Sequence, residues 1–139
     1  MTMETVLRCP ISADLDRIRG MVRLHARSSG LRGHRLDDLV LAVNEAVTNV
    51  LDHGGAAGTV TTRGDAHAIT VEVLDMAGAL TPEHLAAPMP DPPGSCGYGL
   101  WIIQYLCDEV DVEQRDGRSR LTLRMRHHAE PSRGTRERE

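Results

Sequence analysis

Three stretches of the chain carry residues whose types and spacing suit chemistry. The first is residues 39–53, Leu-Val-Leu-Ala-Val-Asn-Glu-Ala-Val-Thr-Asn-Val-Leu-Asp-His. On a helix, at about 100° per residue, Leu39, Val43, Ala46, Val47 and Val50 fall on one apolar stripe. Glu45, Asn49 and His53 fall opposite, at i, i+4 and i+8, with Thr48 and Asp52 beside them. A solvated helix face is the commoner origin of such a pattern. Solvated faces usually mix charge signs, however, and this one has no Arg. The alternative is a site. A hard cation such as Mg²⁺ takes oxygen ligands and keeps several waters. Asn49 would supply one oxygen, and Glu45 would orient or deprotonate a nucleophile one turn back.

The second stretch ends in Asp75, at the close of an apolar run, followed by Met-Ala-Gly78. An Asp there can be a turn former. A buried carboxylate can instead accept a hydrogen bond from an exocyclic amine, and leaving such a group unpaired costs about 1–3 kcal/mol, enough to choose between bases. The third is Gly94-Ser-Cys-Gly97-Tyr98-Gly99-Leu100-Trp101. A glycine-rich turn entering a helix offers free N–H groups and the favourable end of the helix dipole to a phosphate. Glycine-rich loops are common, so this stretch is not specific by itself.

The elements that must position these residues follow from pattern. Residues 4–9 alternate weakly and read as a strand. Ser12 is placed as an N-cap, with Asp14 in the first turn, for a helix carrying Leu15, Ile18, Val22 and Ala26 and ending at Ser28, Ser29 and Gly30. A second helix is expected from about 37 to 52, stopped by His53, Gly54 and Gly55. Strands follow at 58–63 and 68–75, turning at Gly64 and Asp65. Residues 76–96 hold Pro82, Pro88, Pro90, Pro92 and Pro93 and read as a long functional loop with a short helix at 82–86. A third long helix is expected at 97–106, packing Trp101 between helix and sheet. Strands at 110–113 and 119–125 close through Asp116-Gly117, a strong hairpin dipeptide. The order suits an α+β two-layer sandwich with helices on one face of a mixed, mainly antiparallel sheet. Residues 128–139 are polar and charged and read as a disordered tail behind one domain at 1–127.

Composition narrows the function. The chain has 139 residues, one domain's worth, of which 40% are hydrophobic and 26% charged. Its net charge is −4, and all 16 basic residues are Arg. Without Lys there is no standard Walker A loop. Mild acidity argues against direct nucleic-acid binding. No run approaches the roughly 20 apolar residues of a membrane span. Residues 1–10 lack the basic and apolar regions of a secretory leader, so a cytoplasmic protein with reduced thiols is expected at Cys9, Cys96 and Cys107. A thiol at a helix start can be redox-sensitive, but at Cys96 an inert small residue is the simpler reading.

The three motifs stand in a telling order: E-x-x-x-N on a helix, a strand ending in Asp, a proline-rich loop, then Gly-Tyr-Gly-Leu opening a helix. In that order the chain resembles the GHKL (Bergerat) ATP-binding fold. Its short length and the segment from Glu45 to His53 are similar to the anti-sigma factor serine/threonine kinases of bacterial partner-switching systems. The resemblance spans residues 4–126 and implies the Bergerat form of the sandwich, with ATP and Mg²⁺ as cofactors. It implies that Asn49 is the Mg²⁺ ligand. Glu45 would be the general base that activates a protein hydroxyl or a water for attack on the γ-phosphate. Asp75 would read the adenine amino group. Gly97, Tyr98, Gly99 and Leu100 would hold the loop and phosphates at the last helix, and His53 would lie near the phosphates. Ser119 falls where the family often has a Thr near adenine. The implied partners are a sigma factor and an anti-sigma factor antagonist, and relatives that look similar are often homodimers.

One departure bears on activity. The family's D-x-G-x-G reads Asp75-Met76-Ala77-Gly78-Ala79 here, so both expected glycines are alanine. Gly78 is left to line the nucleotide, one position out of step. Glycines there let the backbone approach the nucleotide and turn sharply, so alanines would narrow the pocket. Four readings stay open: a kinase of the antagonist, a partner-sequestering module that is non-catalytic or even nucleotide-free, a sensor-kinase-like catalytic domain, and an unrelated α+β domain.

Overall fold

The computed structural model describes residues 4–53, 57–78, 80–86 and 98–128. The expected disordered tail, apart from His128, and most of the proline-rich loop with Cys96 lie outside these residues. The elements run β1 (Thr5–Pro10), α1 (Leu15–Ser29), α2 (Gly33–His53), β2 (Gly58–Gly64), β3 (Ala68–Asp75), α3 (Glu83–Ala86), α4 (Tyr98–Leu106), β4 (Glu109–Arg115) and β5 (Arg118–Arg126). They build the two-layer α+β sandwich.

Caps and turns set the local boundaries. The N-cap of α1 is Asp14, not Ser12: its carboxylate accepts from the Arg17 N–H, while the Ser12 hydroxyl accepts from the Asp14 N–H at 3.2 Å. The two side chains divide the capping between them, and Asp14 sits nearer the free helical donors. Gly30 ends α1 at φ +122, donating its N–H to the Ala26 and Arg27 carbonyls. Helix α2 starts at Gly33, four residues before the expected 37, because the apolar stripe already begins at the buried Leu36. Asp116 and Gly117, at φ 55 and 76, make the tight β4–β5 turn whose twist matches the strands it joins.

The sheet order is β1-β2-β3-β5-β4, and every pairing among the described strands is antiparallel. The chain leaves β3, passes through α4 to the edge strand β4, and returns as β5 beside β3. Alternation divides the two faces. Ile69, Val71 and Val73 of β3 and Leu121, Leu123 and Met125 of β5 are buried with Ile18 and Val22 of α1, Val43 and Val47 of α2, and Ile103 of α4. Each such side chain contributes about 1.5–3 kcal/mol by leaving water. The alternate positions, among them Thr70, Glu72, Thr122 and Arg124, face the other way and are less buried. Their surface ion pairs, Arg63–Glu72 at 3.9 Å and Arg120–Glu113 at 3.2 Å, add about 0–1 kcal/mol each.

Topology collects one end of the molecule. Helix α2 ends at His53, β2 begins at Gly58, and Gly58 pairs directly with Asp75. Asp75 pairs in turn with Ser119, and Ser119 with Gln114. The C-terminal turns of α2, the exit of β3 and the β4–β5 hairpin therefore meet at a single edge.

The opposite end carries two imidazoles with an unpartnered buried nitrogen, His25 Nδ1 and His127 Nε2. The His127 ring lies against Gly30, where an added Cβ would stand 3.1 Å from it, and hydrogen-bonds the Ala66 backbone. His25 Nε2 meets the Thr5 hydroxyl at 2.8 Å. Burial lowers both pKa values below the usual 6.5. Protons thus bind the unfolded chain more readily than the folded one once pH falls through about 6.5, so stability declines below that pH and is flat above it for these groups. Thermal unfolding at pH 7.5 and 5.5 checks this: the melting temperature drops on acidification, and a His25→Gln/His127→Gln double variant drops less.

Candidate functional site

Glu45 and Asn49 lie one turn apart on the flank of α2, both half-buried, while Leu39, Val43, Ala46, Val47 and Val50 are buried beneath them. The flank is not simply solvated, because the first turn of α4 covers it. A Cβ on Gly99 would stand 3.1 Å from Glu45 Oε1, 3.3 Å from Asn49 Oδ1 and 3.5 Å from Asn49 Nδ2. Only a glycine lets the α4 backbone come this close without moving both polar tips. Leu100 is buried in the core and anchors that approach. The sequence motifs E-x-x-x-N and Gly-Leu, fifty residues apart, thus meet at one point.

These contacts make Gly99→Ala informative. The added methyl displaces the Glu45 and Asn49 side chains by a few tenths of an ångström. On the activity that the sequence resemblance implies, phosphate release from ATP falls in this variant, with a melting temperature close to that of the wild type, since alanine favours helix over glycine. Unchanged turnover would mean that Gly99 merely fills space.

Asp75 ends β3 at 3% exposure, and Ser119 beside it is 1% exposed. Asp75 Oδ1 accepts from the Ala77 N–H at 2.9 Å, and the Gly78 N–H donates to the Asp75 carbonyl at 3.2 Å. Both features of the sequence reading are present at once: a turn former and a buried carboxylate. The altered glycines have a physical resolution. Gly78 takes the left-handed conformation at φ +67, and Ala77 is not among the positive-φ residues. The left-handed position is the glycine that is present, so the alanine at 77 carries no backbone strain. Ala79 lies outside the described residues.

Of the other sequence candidates, Ser119 donates its hydroxyl to the Leu80 carbonyl at 2.5 Å, which holds the loop after β3. His53 is the last residue of α2 and Tyr98 the first of α4, their side chains lying outside the described parts. Gly97 is outside them altogether. Trp101 is not in the core. It is half-buried and stacks on Tyr105, with ring centroids 5.7 Å apart and planes within 9°. Gly99, Leu100 and Ile103 take the inward face of α4, and Trp101 and Tyr105, one turn apart, share its outer flank. The Cys107 thiol is pushed up to about 12 by burial and by Asp108 and Asp38, which makes it unreactive.

Sequence reasoning missed Gln114. Its amide Nε2 donates to the Gly78 carbonyl at 2.7 Å. The signal existed: a two-residue turn at Asp116-Gly117 fixes the register that sets Gln114 beside Ser119.

Comparison with known families settles the kinship. The pattern of the histidine kinase-like ATPase domain matches residues 11–126. The chain belongs to this family. Among solved structures, the ATPase domain is similar to part of the RsbU and RsbW domains of Rv1364c from Mycobacterium tuberculosis, with a TM-score of 0.64 and 17% identity over 89% of this chain. The chain spans only 32% of that longer protein. It is also similar to a chain of the SiaB-SiaC complex from Pseudomonas aeruginosa, with a TM-score of 0.51, 19% identity, and coverage of 88% of this chain and 89% of that one. At these identities the likeness is one of fold. No curated protein sequence matches the chain. No helix among the described residues is long and apolar enough to cross a membrane.

Proposed function

We propose that this ATPase domain binds Mg·ATP at the edge where α2, β3 and α4 meet, and that it acts in anti-sigma partner switching. It would phosphorylate a Ser or Thr of an anti-sigma factor antagonist and sequester a sigma factor. The observation that carries the reading is the contact of Gly99 with both Glu45 and Asn49. A carboxylate and an amide held together at the start of a helix are an oxygen-donor pair beside a place where phosphate is favoured.

The donor set suits a hard cation. Asn49 would hold Mg²⁺ through its amide oxygen, and the ion when bound supplies charge neutralisation to the phosphates. Asp75, buried at the exit of β3, would accept a hydrogen bond from the adenine amino group. Glu45 would take the proton from the attacking hydroxyl. The oxygen of that hydroxyl would then bond to the γ-phosphorus as the bond to the β–γ bridging oxygen breaks and ADP leaves. Most of the acceleration in such a site comes from holding the reactants in line and from preorganised charge.

A second reading keeps the nucleotide and drops the chemistry: a partner-binding module without transfer. The alanines at 77 and 79, where the family has glycine, favour it, and the retained Glu45 favours the enzyme. One of the similar chains was solved in a complex with a second protein, which is consistent with either. Calorimetry with Mg·ATP tests what both share. Saturable binding at one site per chain supports the proposal, and no binding at millimolar ATP overturns it.

A further inference from the structure

Asp75, Ser119 and Gln114 form one rung across β3, β5 and β4, because Asp75 pairs with Ser119 and Ser119 with Gln114. All three fasten the same short loop. Asp75 accepts from the Ala77 N–H at 2.9 Å, Gln114 donates to the Gly78 carbonyl at 2.7 Å, and Ser119 donates to the Leu80 carbonyl at 2.5 Å. The loop is also pressed on the hairpin: a Cβ on Gly78 would stand 2.3 Å from the Gly117 carbonyl oxygen.

Gln114 differs from its two neighbours on the rung. Asp75 and Ser119 are buried, whereas Gln114 is exposed on an edge strand. An exposed amide adds little to folding stability, so its contact with the loop has to be explained otherwise. Gly78, at φ +67 with no side chain, offers the least internal resistance to rotation of any residue in the loop. Its carbonyl is therefore open to being aimed from outside, and Gln114 is the side chain that bonds to it.

We propose that Gln114 is a positioning residue of the nucleotide site: it fixes the Gly78 carbonyl, and with it the loop that follows the base-reading Asp75. This inference rests on the ATP reading of the site. The ligand whose recognition it tunes is a purine nucleotide, and its effect is on base selectivity.

The test compares wild type with Gln114→Ala, Gln114→Glu and Gln114→Lys, measuring affinity for Mg·ATP and Mg·GTP by calorimetry and the melting temperature. Gln114→Ala frees the loop, and re-fixing it when ATP binds costs about as much as one hydrogen bond, which predicts about a fivefold weaker ATP affinity. GTP binding should change less, so the ATP-to-GTP preference shrinks, while the melting temperature stays near that of wild type. Gln114→Glu, which replaces the donor by a carboxylate facing a carbonyl, should bind ATP no better than Gln114→Ala. Gln114→Lys, which keeps a donor, should recover most of the affinity and the preference. Equal affinities in all four proteins, with wild type still preferring ATP, would overturn the positioning role alone. So would a loss that follows the melting temperature or that Lys does not rescue. A wild type that binds no ATP would remove the nucleotide reading itself, and this inference with it.

Discussion

On the proposed role of Glu45, Glu45→Gln will slow phosphate transfer from ATP by about 10²–10⁴-fold, the usual worth of a general base, while ATP affinity stays within about threefold of wild type. The substitution is nearly isosteric, so the contact between Gly99 and the side chain at 45 survives in shape. What is lost is the ability to accept a proton from the attacking hydroxyl. ADP formation, with water as acceptor and then with the antagonist protein, measures the effect. Wild-type turnover no faster than that of Glu45→Gln would remove the enzyme from the account and leave the partner-binding module.

Asp75→Asn will separate base recognition from folding. Oδ1 is retained, so the turn bond from the Ala77 N–H can persist. The other carboxylate oxygen becomes an N–H₂ donor, which opposes the adenine amino group and suits an acceptor such as the guanine carbonyl. An unpaired buried polar group costs about 1–3 kcal/mol, which corresponds to a loss of roughly 5- to 150-fold in ATP affinity. GTP affinity should hold or rise, and the melting temperature should fall only slightly. Parallel losses for both nucleotides would place Asp75 in the loop's architecture and not at the base.

Much of this was legible in the sequence, and the reasons differ by element. The α2 stripe was readable because helical periodicity alone sets which residues are buried, and Leu39, Val43, Ala46, Val47 and Val50 are all buried. β3 was readable because its alternation of buried and half-buried positions is uninterrupted from Ile69 to Asp75. The hairpin was readable because Asp116-Gly117 admits few turn types. Trp101 was misplaced because its hydrophobicity was weighed without the phase of α4, in which the small Gly99 and the branched Ile103 take the inward face. The capping of α1 by Asp14 was not decided by pattern, since Ser12 and Asp14 both suit the position and only the backbone path chooses. The loop after β3 was the hardest. Substituted glycines suggest strain, but the left-handed residue is Gly78, and the bonds that hold the loop come from β4 and β5, some forty residues later. A linear reading has no access to contacts of that kind until the register of the hairpin is worked out.

The most direct measurement is calorimetric titration of Mg·ATP and Mg·GTP into the purified wild-type protein, with Asp75→Asn alongside. The account predicts one-site binding of ATP, much weaker binding of GTP, and loss of that preference in the variant. Absence of ATP binding up to millimolar concentration, or equal binding of both nucleotides, would contradict it.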